Sequence, residues 1–233
     1  MAIVFSEKAL SQTETDLSLK GLTIICDLDY TFLDYDSRTE LFNIGEVGAF
    51  EERIRRLLKP FRVVRGMDDL LMTLQNKGAE IKFLSARPDA HEKLIRKYLN
   101  SLGFKYATLQ LAGGDLKSKA EYKISEIVKI AETDPHQKIV LIGDNLDRDL
   151  EVFDRAHQHA VLAGKIFATF VRAVRRSIQI PERYFQIDDA SGVASVFHKI
   201  GLLTYEEARA IHNGKKVKPR ISASPYCKDL FSL

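Results

Sequence analysis

Thr23-Ile24-Ile25-Cys26-Asp27-Leu28-Asp29-Tyr30-Thr31 decides how this chain is read. Its apolar start suits a strand buried on both faces, the kind found inside a parallel sheet. The run ends in two carboxylates one residue apart and then a hydroxyl. In an open parallel sheet, ligands bind beyond the carboxyl ends of the strands, so Asp27 and Asp29 are placed for chemistry. Asp is also a common turn residue, and the stretch alone does not separate the two readings. The rest of the chain does.

The same grammar, apolar strand first and polar group last, recurs downstream. Glu80 to Ser85 reads as a second strand running into Ser85-Ala86-Arg87-Pro88, and Thr108 to Leu111 as a third before Gly113-Gly114. Lys138-Ile139-Val140-Leu141-Ile142 is the clearest strand, and it leads straight into Gly143-Asp144-Asn145-Leu146-Asp147-Arg148-Asp149. Further strands fall at 166–171 and 184–187. Between them, apolar residues at helical spacing predict helices over 46–58, 68–78, 89–102, 118–132, 149–162 and 190–200. Ser118 and Glu121 have capping-box spacing, as do Thr204 and Glu207 ahead of a last helix over 204–212. Alternating strands and single helices predict an α/β fold, a Rossmann-like parallel sheet with helices on both faces. The expected organisation is a lead-in over 1–20, a domain over 21–203, and a C-terminal helix with a basic tail over 204–233.

At 233 residues, 45% hydrophobic and 29% charged with a net charge of +3, the chain is an ordinary globular sequence. Its mild basicity is spread along the chain and does not indicate nucleic acid as a partner. Cys26 and Cys227 form neither a disulfide framework nor a zinc spacing, and the six His show no ligand pairing. No stretch has the length of a membrane span or the form of a signal peptide. The expectation is a soluble, cytoplasmic protein, with a removed leader left open. The run Lys215-Lys216-Val217-Lys218-Pro219-Arg220 reads as a solvated terminus ahead of a phosphate-binding or membrane-surface element.

Four items then stand in chain order: Asp27-x-Asp29-x-Thr31, Ser85 after the second strand, a Lys at a helix start, and Gly143-Asp144 with Asp149. Together they resemble the haloacid dehalogenase superfamily, over roughly residues 22 to 190. The resemblance implies a phosphatase in which Asp27 attacks phosphorus and forms an aspartyl-phosphate, while Asp29 protonates the leaving group and then activates water. It implies Mg²⁺ held by Asp27, the backbone carbonyl of Asp29 and Asp144, with Asp149 and Asn145 outside them orienting metal-bound water. The resemblance also implies that Ser85, Lys123 and Thr31 bind the phosphoryl group. Lys123 lies 21 residues before Asp144, which fits the family's spacing better than its rivals Lys117 and Lys119. Arg87 is read equally as a substrate contact or as a surface Arg paired with a carboxylate. Asp34 and Asp147 are read as solvated loop acids.

Dehalogenases lack an acid where this chain has Asp29, and transport ATPases usually carry Thr there, so the resemblance implies phosphatase chemistry. The gaps from Thr31 to Gly66 and from Ser85 to Lys117 are too short for a large cap domain, which implies an open site. Capless relatives act on macromolecular or membrane-bound phosphates, or gain a lid by oligomerising. Phe83-Leu84-Ser85-Ala86-Arg87-Pro88, Tyr122-Lys123 and Phe170-Val171-Arg172 are similar to the lipin-like, phosphatidate phosphatase-related branch. Tyr30 and Asn145 depart from it, so the substrate stays open among a phosphatidate-like lipid, a nucleotide or nucleic-acid end, and a phosphoprotein. A non-catalytic phospholipid-binding module on the same fold is the alternative of another class.

Overall fold

Strand β1 (Leu22–Asp27) is buried along its whole length because it runs between two parallel neighbours, β4 (Glu80–Pro88) and β6 (Lys138–Asp144). The computed structural model describes residues 19–34, 62–112, 119–146 and 148–214. With β5 (Thr108–Ala112), β7 (Ile166–Arg172) and β8 (Phe185–Ile187), the described residues form a six-stranded sheet in the order β5-β4-β1-β6-β7-β8. Every pairing in it is parallel. This is the doubly wound order. The chain first builds outward from β1 on one side and then on the other, so the two connections part between β1 and β6, and a crevice opens at the carboxyl ends there.

Strand periodicity assigns each residue to a face. Ile24 and Cys26 of β1, Val140 and Ile142 of β6 and Phe170 of β7 join the core under α1 (Met67–Asn76), α2 (Glu92–Ser101), α5 (Ala190–Lys199) and α6 (Tyr205–His212). Ile25, Leu141 and Val171 point the other way, under α3 (Lys119–Thr133) and α4 (Asp149–Gln158). By the same count Asp27 and Gly143 face α3 and α4, whereas Asp144 and Arg172 face the other layer. The helices follow from their apolar stripes: Met67, Leu70, Leu71 and Leu74 of α1 are all buried. Gly78 at φ 102° then lets the chain leave the helix. The capping box at Thr204 is present, with Thr204 and Glu207 each accepting from the other's backbone N–H.

The α/β reading therefore stands, and the described residues include no large cap insertion. Three expected boundaries move. β4 continues past Ser85 to Pro88 through an irregularity in its pairing with β5. The helix expected over 89–102 is split into a 3₁₀ turn (Asp89–His91) and α2. The one expected over 149–162 breaks at His159, whose extended backbone starts a 3₁₀ turn that its own imidazole caps at Val161 N. β2 (Leu33–Asp34) pairs antiparallel with β3 (Arg62–Val63). The helix over 46–58, most of the lead-in, Gly113-Gly114, Lys117, Ser118, Asp147 and the basic tail lie outside the described residues. Among the described residues no helix is long and apolar enough to cross a membrane.

Candidate active site

β1 delivers Asp27 to the crevice on the side of α3 and α4, and both helices meet it there. Lys123, in the second turn of α3, donates from Nζ to Asp27 Oδ1 at 2.7 Å and to Asp149 Oδ1 at 2.5 Å. It is 5% exposed, whereas Lys119, one turn earlier, faces solvent. Asp149, at the first position of α4, accepts the Asp144 backbone N–H with its second oxygen at 3.2 Å. A Cβ on Gly143 would stand 2.4 Å from that oxygen and 2.6 Å from Phe153 Cζ. Glycine is needed at 143 so that α4 can bring its carboxylate onto the end of β6.

Asp27, Asp144 and Asp149 are all buried, and each offers a carboxylate oxygen within 4.8 Å of the others. Three carboxylates face one ammonium. Burial pushes the Asp27 carboxyl well above the ordinary 3.8, Lys123 pulls it down, and the neighbouring acids push it further up. Burial alone would lower the Lys123 ammonium, but Asp149 and Asp27 override it and hold the charge well above the ordinary 10.5. An excess of buried negative charge on oxygen donors fits a hard divalent cation such as Mg²⁺.

The turn after β1 carries the second acid. Leu28 O accepts from Phe32 N at 3.2 Å and Leu33 N at 2.8 Å, with Tyr30 at φ 57°. Left-handed backbone in a non-glycine residue costs roughly 1–2 kcal/mol, so the turn needs holding. Phe32 supplies one anchor, edge-on to Phe83 and Phe104 at 4.9 and 5.6 Å between ring centroids. The turn leaves Asp29 half-buried beside β4. Arg87 binds it there, with Nε 3.0 Å from both carboxylate oxygens and Nη2 2.5 Å from Oδ1. Ser85 Oγ donates to Asp29 Oδ2 at 3.3 Å and accepts the Arg87 N–H at 3.3 Å.

Asp27, Asp29, Ser85, Arg87, Lys123, Asp144 and Asp149 thus converge on the carboxyl ends of β1, β4 and β6. Two expected residues make other contacts. Thr31 is buried and donates toward Asp144 Oδ2 at 3.5 Å. Asn145 turns its amide to the segment after β7: Nδ2 donates to Arg175 O at 2.8 Å and Ile178 O at 3.2 Å, and Oδ1 accepts from Val174 N and Arg175 N at 2.9 Å. Asp34, expected as a solvated acid, keeps 45% of its side chain exposed and also accepts two bonds from Arg172 at 3.1 Å. The β2–β3 ladder holds it in reach. Arg172 itself, given no role from the sequence, is 4% exposed. The rule that picked out Asp27, Ser85 and Asp144, a polar residue closing an apolar strand, also picks out Arg172 at the end of β7.

The aspartate pair at the end of the central strand of a doubly wound sheet, with further aspartates and a lysine beside it, gathers the residues on which the resemblance to the haloacid dehalogenase superfamily rests. The sequence matches the family described as "Phosphatidate phosphatase APP1, catalytic domain" over residues 22–173, and the chain belongs to that family. No curated protein matches the sequence. Among solved structures, a phosphoserine phosphatase in apo form is 13% identical with a TM-score of 0.41, the match covering 66% of this chain and 86% of that one. A hypothetical protein from Xanthomonas campestris is also 13% identical, with a TM-score of 0.45 and coverage of 90% and 97%. Both likenesses are distant.

Proposed function

We propose that the chain is a Mg²⁺-dependent phosphomonoesterase that works through an aspartyl-phosphate on Asp27. The observation that carries this is the buried Asp27–Asp144–Asp149 cluster with Lys123 bonded to two of its members. In the first step a carboxylate oxygen of Asp27 forms a bond to phosphorus as the bond to the leaving oxygen breaks, and Asp29 gives that oxygen a proton. In the second, water attacks the same phosphorus, Asp29 takes its proton, and the bond to Asp27 breaks to release phosphate. Lys123 holds Asp27 in place and, with Ser85, donates to the phosphoryl oxygens. Arg87 steadies Asp29 and adds positive charge where the leaving group departs.

Asp27, the Asp29 carbonyl and Asp144 would hold the cation. Asp149 would stand outside them and orient the water around the cation, while one of its oxygens holds Lys123 and the other the Asp144 N–H. Bound there, Mg²⁺ supplies positive charge to neutralise the phosphoryl oxygens.

The substrate is a phosphatidate-like lipid phosphate. The family's description supports it, as does a crevice without a large cap among the described residues, which leaves room for a phosphate presented on a surface. The test is phosphate release by the purified protein with Mg²⁺ from phosphatidate in mixed micelles, from nucleotides and from p-nitrophenyl phosphate. Turnover with phosphatidate preferred is the expected result. Preference for nucleotides or nucleic-acid ends would overturn the substrate. No release from any substrate, with binding to phosphatidate vesicles, would overturn the enzyme in favour of a lipid-binding module.

A further inference from the structure

β7 is not a neighbour of β1, for β6 lies between them. Arg172 nevertheless reaches the turn that follows β1. Its backbone is tied to the end of β6: Asp144 is its register partner, and its carbonyl accepts the Asn145 N–H at 3.2 Å. Its side chain points into the other layer and crosses over the end of β6. There Nη1 donates to Tyr30 O at 2.6 Å, both Nη1 and Nη2 donate to Asp34 Oδ1 at 3.1 Å, and Nε donates to Asp188 O at 3.1 Å. One buried guanidinium therefore joins the turn carrying Asp29 to the strand end carrying Asp144. It grips that turn at Tyr30, whose left-handed backbone is least able to hold itself.

We infer that Arg172 is a positioning residue that braces the Asp29–Tyr30–Thr31 turn against the Asp144 loop and so sets the spacing of the two acidic segments. A planar, permanently charged fork is required, since three separate acceptors lie at fixed directions from it. Lysine reaches one of them at a time. The kinetic part of this inference rests on the phosphatase reading, and the exchange part does not.

The experiment compares Arg172→Met, Arg172→Lys and Asp34→Asn with the wild type by kcat and KM on p-nitrophenyl phosphate, and by residue-resolved amide hydrogen exchange. Displacing reacting groups by about 1 Å costs on the order of 10²-fold in rate, so kcat should fall by about that factor in Arg172→Met with KM little changed. Arg172→Lys and Asp34→Asn should fall in between. The amides of Phe32 and Leu33 should lose protection in the same order, while those of Ile24 and Ile25 in β1 keep theirs. Wild-type kcat in the lysine and Asn variants, with the turn still protected, would overturn the inference. So would protection lost evenly across the sheet, the mark of a residue needed only for stability. Should Arg172→Met fail to fold, the other two variants decide. Should the wild type hydrolyse nothing, the phosphatase reading fails and the exchange pattern alone decides.

Discussion

Replacing Lys123 by Met removes the one ammonium that the described residues bond into the carboxylate cluster while keeping the bulk of its stem. Charges 2.7 and 2.5 Å apart at an effective dielectric of about 20 attract by roughly 6–7 kcal/mol each. Most of that is offset by taking the ions out of water, at several kcal/mol per ion. These side chains are 6%, 9% and 2% exposed for Lys123, Asp27 and Asp149, so solvent screens them little. What remains on deleting one partner is the cost of stranding the others, about 3–5 kcal/mol. For a chain of this size 1 kcal/mol is about 2–4 °C in melting temperature, so Lys123→Met should melt roughly 6–20 °C lower in metal-free buffer at neutral pH. Adding Asp149→Asn should return part of the loss, because it removes a carboxylate stranded by the first change. Thermal unfolding followed by circular dichroism, with a urea titration beside it, gives both numbers. A single variant within about 0.5 kcal/mol of wild type, the range of ordinary surface substitutions, would refute the buried ion pair.

The Asp27 carboxyl, pushed up by burial and by its acidic neighbours, gives the metal-free protein a defined pH response. The native state holds a proton that the unfolded state gives up near 3.8, so stability should fall as pH rises from there to the elevated native value. Mg²⁺ should remove that fall, and urea titrations across pH with and without the ion test it. Gly143→Ala should displace Asp149, lowering turnover by at least about 10-fold while the overpacking costs about 1–3 kcal/mol; wild-type turnover would show that α4 yields freely. Asn145→Asp puts a carboxylate against Arg175 O and Ile178 O and removes two donors, a loss of about 1–3 kcal/mol. Hydrogen exchange should rise over 174–178, and an unchanged pattern there would count against the amide clamp.

Elements whose signal is local were legible in the sequence. An apolar run closed by a polar residue located β1, β4 and β6 together with Asp27, Ser85 and Asp144. The spacing implied by the family resemblance, with the helix start, favoured Lys123 over Lys117 and Lys119; Lys123 is buried against Asp27 and Asp149, Lys119 faces solvent, and Lys117 lies outside the described residues. What stayed hidden depends on approach between distant segments. Whether Arg87 meets solvent, substrate or Asp29 is decided by how β4 bends after Ser85, which no pattern in Ser-Ala-Arg-Pro encodes. The partners of Asn145 come from the segment after β7, and two of the three acceptors of Arg172 lie across a whole strand, Tyr30 at 142 residues away and Asp34 at 138. At His159 the boundary moved through a local device, the imidazole capping a 3₁₀ turn at Val161 N.

A phosphoryl group carried on Asp27 during turnover is trapped by an acid quench. Protein mixed with Mg²⁺ and a phosphomonoester, stopped in acid and mapped by peptide mass spectrometry, should show phosphate on Asp27. Asp27→Asn should fold as wild type, show no adduct and release no phosphate. Turnover that persists in Asp27→Asn, or an adduct on any other residue, would rule out Asp27 as the nucleophile.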